Sequence, residues 1–186
     1  MTQLSPGTNL HNFTAKDGTK IVLRTPKWND LDEMIDFSNG LVEEEAMVAR
    51  NTKVTREQGI NWLAENLKKL ERGQHIYFIA DFDGKMVGNC EITPMFGRMS
   101  HVGVLAIAVK DGYRGIGIGF ALMKEAEKQA IHRGLKIVKL EVFESNEPAI
   151  ALYEKLGYNV TGRVNEAVLF REGYIDSLLM TKRLIS

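Results

Sequence analysis

The clearest chemistry in this chain lies in the stretch Tyr113-Arg114-Gly115-Ile116-Gly117-Ile118-Gly119. An apolar run suited to a strand, Val104 to Val109, precedes it, and a helical pattern from Phe120 to Arg133 follows it. A glycine-rich turn between strand and helix presents bare backbone N–H groups at a helix N-terminus. Unpaired donors and the helix dipole both attract phosphate there. Glycine permits positive φ and lets a ligand approach the backbone closely. A P-loop is excluded, because Phe120 and Ala121 stand where Lys and Ser or Thr are needed. The dinucleotide frame G-x-G-x-x-G also fails. From Gly115 its last glycine falls on Phe120, and from Gly112 its second falls on Arg114.

A third pattern fits without a gap: Arg or Gln, two residues, Gly, one residue, Gly or Ala. Arg114, Gly117 and Gly119 meet it. Further on, Asn146-Glu147-Pro148-Ala149 opens a helical pattern with Tyr153 near its end and Gly157-Tyr158 closing it. Together these resemble the two coenzyme A motifs of the GCN5-related N-acetyltransferase (GNAT) superfamily. The segment Glu172-Gly173-Tyr174-Ile175-Asp176 before an apolar strand is similar to the branch that includes ribosomal-protein and spermidine acetyltransferases.

The resemblance implies an α/β fold with a mixed, largely antiparallel central sheet flanked by helices. It implies acetyl-CoA as cofactor and a primary amine as acceptor, acetylated by direct attack in a ternary complex. The backbone N–H groups of Gly115, Ile116, Gly117, Ile118 and Gly119 would cradle the pyrophosphate, with Arg114 adding a charged contact. Each N–H bond to a charged oxygen is worth about 1.5–3 kcal/mol. The strand with Ile107, Ala108 and Val109 would run along the pantetheine arm, and Ile107 N–H would serve as an oxyanion donor. Asn146 would bond the cofactor arm or cap its own helix, a role Pro148 in the first turn also suits. Ala149 belongs to the same cofactor motif.

Tyr153 would stand near the sulfur as general acid. A free thiol titrates near 8.5 and tyrosine near 10, so full proton transfer to thiolate is uphill by about 2 kcal/mol. Hydrogen bonding to the leaving thiolate is then its main contribution. A lysine-like amine lies about 3.4 pK units above neutrality, so its neutral form costs roughly 4.6 kcal/mol and a base is needed. The candidates are Glu91, favoured by the resemblance, His101, and the run Glu43-Glu44-Glu45. That run, between the first two helices, would favour a cationic amine. The acceptor stays open between a small-molecule amine, such as a polyamine, amino acid or drug amine, and a protein N-terminal or lysine amine. A non-catalytic acyl-CoA-binding sensor is the alternative, against which Tyr153 argues. The resemblance allows a homodimer.

The surrounding elements must position these residues. Residues 1–17 read as a loose, polar lead-in. Lys20–Arg24 reads as a strand, and Trp28–Asn39 as a helix stopped by Gly40. Thr55 and Gln58 form a capping box for a helix to Arg72, with Ile60, Leu63, Leu67 and Leu70 on one face. His75–Phe82 and Lys85–Thr93 make a hairpin across Asp83-Gly84. His101–Lys110 is a strand leading to the glycine loop. The helix after it would place Ile116, Phe120, Met123, Ala126 and Ala130 on the sheet and end at Gly134. Ile137–Phe143 is a strand, the next helix buries Ala149, Leu152, Tyr153 and Leu156, and Asn159–Leu169 with Tyr174–Arg183 form a last hairpin.

Composition narrows the class further. A chain of 186 residues suits a single domain spanning 1–186. Lys plus Arg and Asp plus Glu are 24 each, which argues against a general nucleic-acid or membrane binder. Cys90 is the sole cysteine, so no internal disulfide forms and a cytoplasmic location fits. Burial as a small hydrophobe is its expected role. No signal peptide or membrane-spanning run is apparent. His11, His75, His101 and His132 are dispersed without metal-ligand spacing.

Overall fold

The computed structural model describes residues 4–184. Eight strands form one sheet: β1 (Asn9–Thr14), β2 (Lys20–Arg24), β3 (Ile76–Phe82), β4 (Lys85–Pro94), β5 (Val102–Val109), β6 (Ile137–Phe143), β7 (Asn159–Phe170) and β8 (Gly173–Arg183). Their spatial order is β1-β2-β3-β4-β5-β6-β8-β7. The β5–β6 pair is parallel and the other neighbours are antiparallel. Four α-helices cover the sheet: α1 (Leu31–Glu43), α2 (Arg56–Glu71), α3 (Ile118–His132) and α4 (Glu147–Lys155). The mixed, largely antiparallel sheet flanked by helices is the fold class expected from the sequence.

Both faces of the sheet centre are covered, which is why β3 is an almost unbroken apolar run, Ile76-Tyr77-Phe78-Ile79-Ala80. On one face Phe78, Cys90, Ile92 and Leu105 pack with Leu122, Met123 and Ala126 of α3 and with Tyr153 and Leu156 of the α4 region. On the other, Tyr77, Ile79 and Met86 pack with Met34, Phe37 and Leu41 of α1 and with Leu63 and Leu67 of α2. A buried ion-pair cluster ties the edge: Arg24 bonds Asp30 at 2.6 and 2.8 Å and Asp81 at 2.8 Å.

Several elements depart from the sequence reading. The expected loose lead-in contains β1, paired with β2; Met1 to Gln3 lie outside the described residues. A register shift between Asn9 and His11 lets Leu10 and Phe13 both pack on the core. The bulge breaks the two-residue alternation that marks a strand. Gly40 does not stop the first helix. Trp28–Asp30 is a 3-10 turn, and α1 runs on to Glu43 because Leu41 is buried in the second core. Packing there outweighs a helix glycine that costs roughly 1 kcal/mol. The Thr55–Gln58 capping box forms as expected, at 3.3 and 3.0 Å, but Ile60 is exposed. Phe120 is exposed too, and Ile116 precedes α3, because the buried stripe is phased on Ile118 and Leu122.

The core also sets an alkaline limit. Burial pushes the hydroxyls of Tyr77, Tyr153 and Tyr158 and the thiol of Cys90 well above their usual ranges. In the unfolded chain these groups ionise from about pH 8.5 for the thiol and about pH 10 for the tyrosines. The folded state keeps protons the unfolded state loses, so stability is intact below that range and falls as pH rises through it. Thermal unfolding followed from about pH 7 to about pH 11 should show a flat Tm to about pH 8.5 and a steepening decline above it. A Tm constant across that whole range would contradict this.

Candidate active site

The parallel pairing of β5 with β6 stops early. Val102, Gly103 and Val104 match Ile137, Val138 and Lys139, and no pair follows. From Ala106 to Val109, β5 keeps β4 alone, in register from Glu91 to Gly88. Meanwhile β6 pairs along its whole length with β8. A gap therefore opens between β5 and β6 toward their C-terminal ends.

The hydrogen-bond parity of β5 identifies which groups face the gap. Lys110 N–H donates to Val87 at 2.9 Å, and Met95 N–H donates to Val102 C=O at 2.9 Å. The even-numbered residues thus bond β4, and in an antiparallel ladder the odd-numbered ones turn the other way. His101 C=O accepts from Lys136 and Ile137 on the far side, as that parity requires. Leu105 N–H is taken by Lys139 C=O in the last parallel bridge, and the N–H groups of Ile107 and Val109 consequently point into the gap. Val109 C=O is already taken there by Arg114 Nε, at 2.8 Å.

The glycine loop closes the gap's open end. Gly112, Gly115 and Gly117 hold positive φ, the last at 102°, a conformation side chains rarely adopt. A Cβ at Gly115 or Gly117 would meet nothing within 4 Å, so there is room before the loop backbone. Gly119 serves packing instead. A Cβ there would lie 3.1 Å from Leu152 Cδ2, so its bareness lets α3 pack against α4.

The first intrahelical acceptor in α3 is Gly117 C=O, bonded by Ala121 N–H at 3.1 Å. This leaves the N–H groups of the first turn, Ile118, Gly119 and Phe120, without helical partners. α3 has neither a side-chain cap nor an acidic residue in its first turn. The other three α-helices each carry an acid there, and α2 and α4 also have side-chain caps. The start of α3 therefore keeps its dipole for an outside anion.

Two straps fix the loop. Lys16 N–H, after β1, donates to Ile116 C=O at 3.0 Å. The Arg114 guanidinium pairs with Glu44, whose other oxygen accepts Asp111 N–H at 3.1 Å. Arg114 is thus engaged with Val109 and Glu44 rather than left free. The rest of the acidic run is likewise committed: Glu43 pairs with Lys53 at 2.7 Å and Glu45 with Arg171 at 3.1 Å. The expectation that these carboxylates favour a cationic acceptor is therefore corrected. Arg114 and Arg171 lie far along the chain, and spacing along the sequence carried no sign of the pairing.

α4 enters beside the loop. Asn146 Oδ1 accepts from Ala149 N–H at 3.3 Å, so the capping role is realised. Ala149 and Leu152 pack partly buried against the core. Tyr153 is 7% exposed and lies near Cys90, the β4 residue paired with Ile107. Burial, with Cys90 adding to it, holds the phenol protonated well beyond the usual tyrosine range.

Glu91 sits in register between Tyr77 on β3 and Ala106 on β5, on the α1/α2 face. Its carboxylate lies 3.2 Å from Nε2 of the buried His75. A cavity of about 430 Å³ opens on the same face, lined by Tyr77, Asn89, Ala106 and Ala108 and roofed by α1 and α2. Ile107 borders both this cavity and the gap. His101 is not brought to the site. It precedes the closed end of β5, some 20 Å along the strand from Ile107 at about 3.3 Å per residue. Sequence reasoning missed His75, Asn89 and the strap role of Glu44. The two-residue alternation around Glu91 was the available signal for Asn89.

No helix among the described residues is long and apolar enough to cross a membrane. Among the described residues no cluster of His, Cys, Asp and Glu has the makings of a metal site.

The model of the Acetyltransferase (GNAT) family matches residues 40–158. An N-alpha-acetyltransferase of Sulfurisphaera tokodaii is 29% identical over 175 residues, covering 87% of this chain and 90% of the relative. A ribosomal-protein-alanine N-acetyltransferase structure from Brucella melitensis superposes with a TM-score of 0.77 at 26% identity, over 87% of this chain and 99% of the other. A Salmonella typhimurium protein described as a putative acetyltransferase, yncA, solved with its cofactor acetyl-CoA, shares the fold. Its TM-score is 0.77 at 18% identity, over 89% of this chain and 95% of the other.

Proposed function

The chain belongs to the GNAT acetyltransferase family, and from that premise we propose that it moves an acetyl group from acetyl-CoA to a primary amine by direct attack in a ternary complex. One observation carries the proposal. The unpaired N–H groups of Ile107 and Val109 face a gap that ends at the uncapped N-terminus of α3. A long ligand with an extended amide arm and a pyrophosphate fits that pair of features. Acetyl-CoA bound there supplies the activated thioester.

The residues then divide the work. N–H groups of Gly115, Ile116, Gly117, Ile118 and Gly119 receive the pyrophosphate. Arg114 holds the loop through Glu44 and Val109. The β5 edge, including Ala108 and Val109, aligns the arm. Ile107 N–H donates to the carbonyl oxygen as negative charge develops on it. Tyr153 donates to the leaving sulfur. Glu91 takes the amine proton directly or through water. Asn146 caps α4, the helix that carries Tyr153. The chain acts as one domain, and the single buried thiol of Cys90 suits a reducing cytoplasm.

A panel of amines decides the reading: thiol release from acetyl-CoA is followed with spermidine, amino acids, amino-sugar drugs and short peptides with free N-termini. Saturable turnover with one class is the expected result. Tight acetyl-CoA binding with no turnover across the panel would instead favour a sensor module.

A further inference from the structure

The cavity beside Ile107 carries a charge pattern that narrows the acceptor, on the premise that the acetyl-transfer reading above holds. Its walls are largely apolar, with Leu31, Met34, Phe37 and Trp62 prominent and Ser38 and Gln58 as neutral polar members. Arg50 is the one charged side chain on them. It joins no ion pair among the described residues, whereas each carboxylate of the nearby acidic run has a cationic partner. A second polar feature lies on the cavity floor. Asn89 Oδ1 is buried without a hydrogen-bond partner. Its Nδ2 donates to Tyr77 Oη at 3.3 Å, and the oxygen is left to accept. Asn89 stands opposite Ala108 on β5, next to the residue whose N–H faces the gap.

A free acceptor oxygen at the reaction end of a cavity calls for an N–H donor. An unpaired guanidinium on a largely apolar wall calls for a carboxylate, which it grips bidentately. A polyamine satisfies the first demand and is repelled by the second. A peptide N-terminus satisfies the first but presents an amide where the guanidinium favours an anion.

We propose that the acceptor is a free amino acid with an apolar side chain. Its amine donates to Asn89 Oδ1, its carboxylate pairs with Arg50, and its side chain lies against Met34, Phe37 and Trp62. The reaction balances within the proposed machinery. The ammonium group gives one proton to Glu91 and on to solvent. The N–C bond forms as the thioester C–S bond breaks, and the second amine proton ends on the thiol.

Equilibrium binding tests this without turnover. The protein is first saturated with coenzyme A by calorimetry, then titrated with L-leucine, L-methionine or L-phenylalanine and with each matching carboxamide. At least one acid should bind about tenfold or more tightly than its amide, the scale of one retained charge-assisted contact. Arg50→Ala should erase that preference, and Arg50→Lys should retain part of it. Arg50 is exposed, so neither variant endangers folding. Equal binding of acid and amide, tighter binding of the amide or of a peptide, or no saturable binding would overturn the proposal. Failure of coenzyme A itself to bind would instead remove the acetyl-transfer reading, and this inference with it.

Discussion

Tyr153→Phe should lower kcat by about 10²-fold or more while leaving acetyl-CoA affinity within about threefold, the magnitude expected for deleting one donor aimed at developing charge. The ring is 7% exposed and packs with Tyr158 and Leu156, contacts that phenylalanine preserves, so Tm should change little. Burial keeps the hydroxyl protonated beyond the ordinary tyrosine range. Complete transfer to a thiolate is therefore more unfavourable than for a free phenol, and the hydroxyl acts as a donor rather than as a shuttling acid. Initial rates at saturating acetyl-CoA, with calorimetric Kd values alongside, read the two quantities separately. An unchanged kcat would remove Tyr153 from the mechanism. A Kd that rises in step with the loss of rate would make it a binding residue.

Gly117→Ala should raise KM for acetyl-CoA about tenfold or more. At φ 102° a side chain costs on the order of 1–3 kcal/mol, and each ~1.4 kcal/mol lost from binding is a factor of about ten. Nothing in the protein stands within 4 Å of the new methyl, so the loss comes from loop conformation and from the space before the backbone N–H groups. Gly119→Ala provides the contrast. Its φ lies outside the left-handed region, and its methyl would press on Leu152 at 3.1 Å. That change should lower Tm through α3–α4 packing more than it raises KM. A KM for Gly117→Ala within about twofold of the parent value would contradict a ligand-facing role for this glycine.

Local elements were legible in the sequence for physical reasons. The Thr55 capping box, the Asp83-Gly84 turn and the strand Ile137–Phe143 rest on neighbouring residues, whose propensities act at short range. The glycine loop was legible because backbone conformation at Gly115 and Gly117 restricts residue type directly. The gap between β5 and β6 was not. An apolar run such as Leu105-Ala106-Ile107-Ala108-Val109 reads the same whether one of its edges is paired or free. The acidic run misled because two of its ion-pair partners, Arg114 and Arg171, come from distant elements. His101 misled because nearness along a strand says nothing of which end opens. The bulge at Leu10 hid β1 by displacing its apolar residues from strict alternation.

If the free β5 edge and the start of α3 form one coenzyme A site, both must respond to the same ligand. Backbone amide resonances of the nitrogen-15-labelled protein, followed during titration with coenzyme A, test this most directly. The largest shifts should fall on Ile107 and Val109 together with Gly115, Gly117, Ile118 and Gly119, while the β7–β8 hairpin barely moves. Saturable binding that leaves the two β5 amides unperturbed would contradict a single shared site.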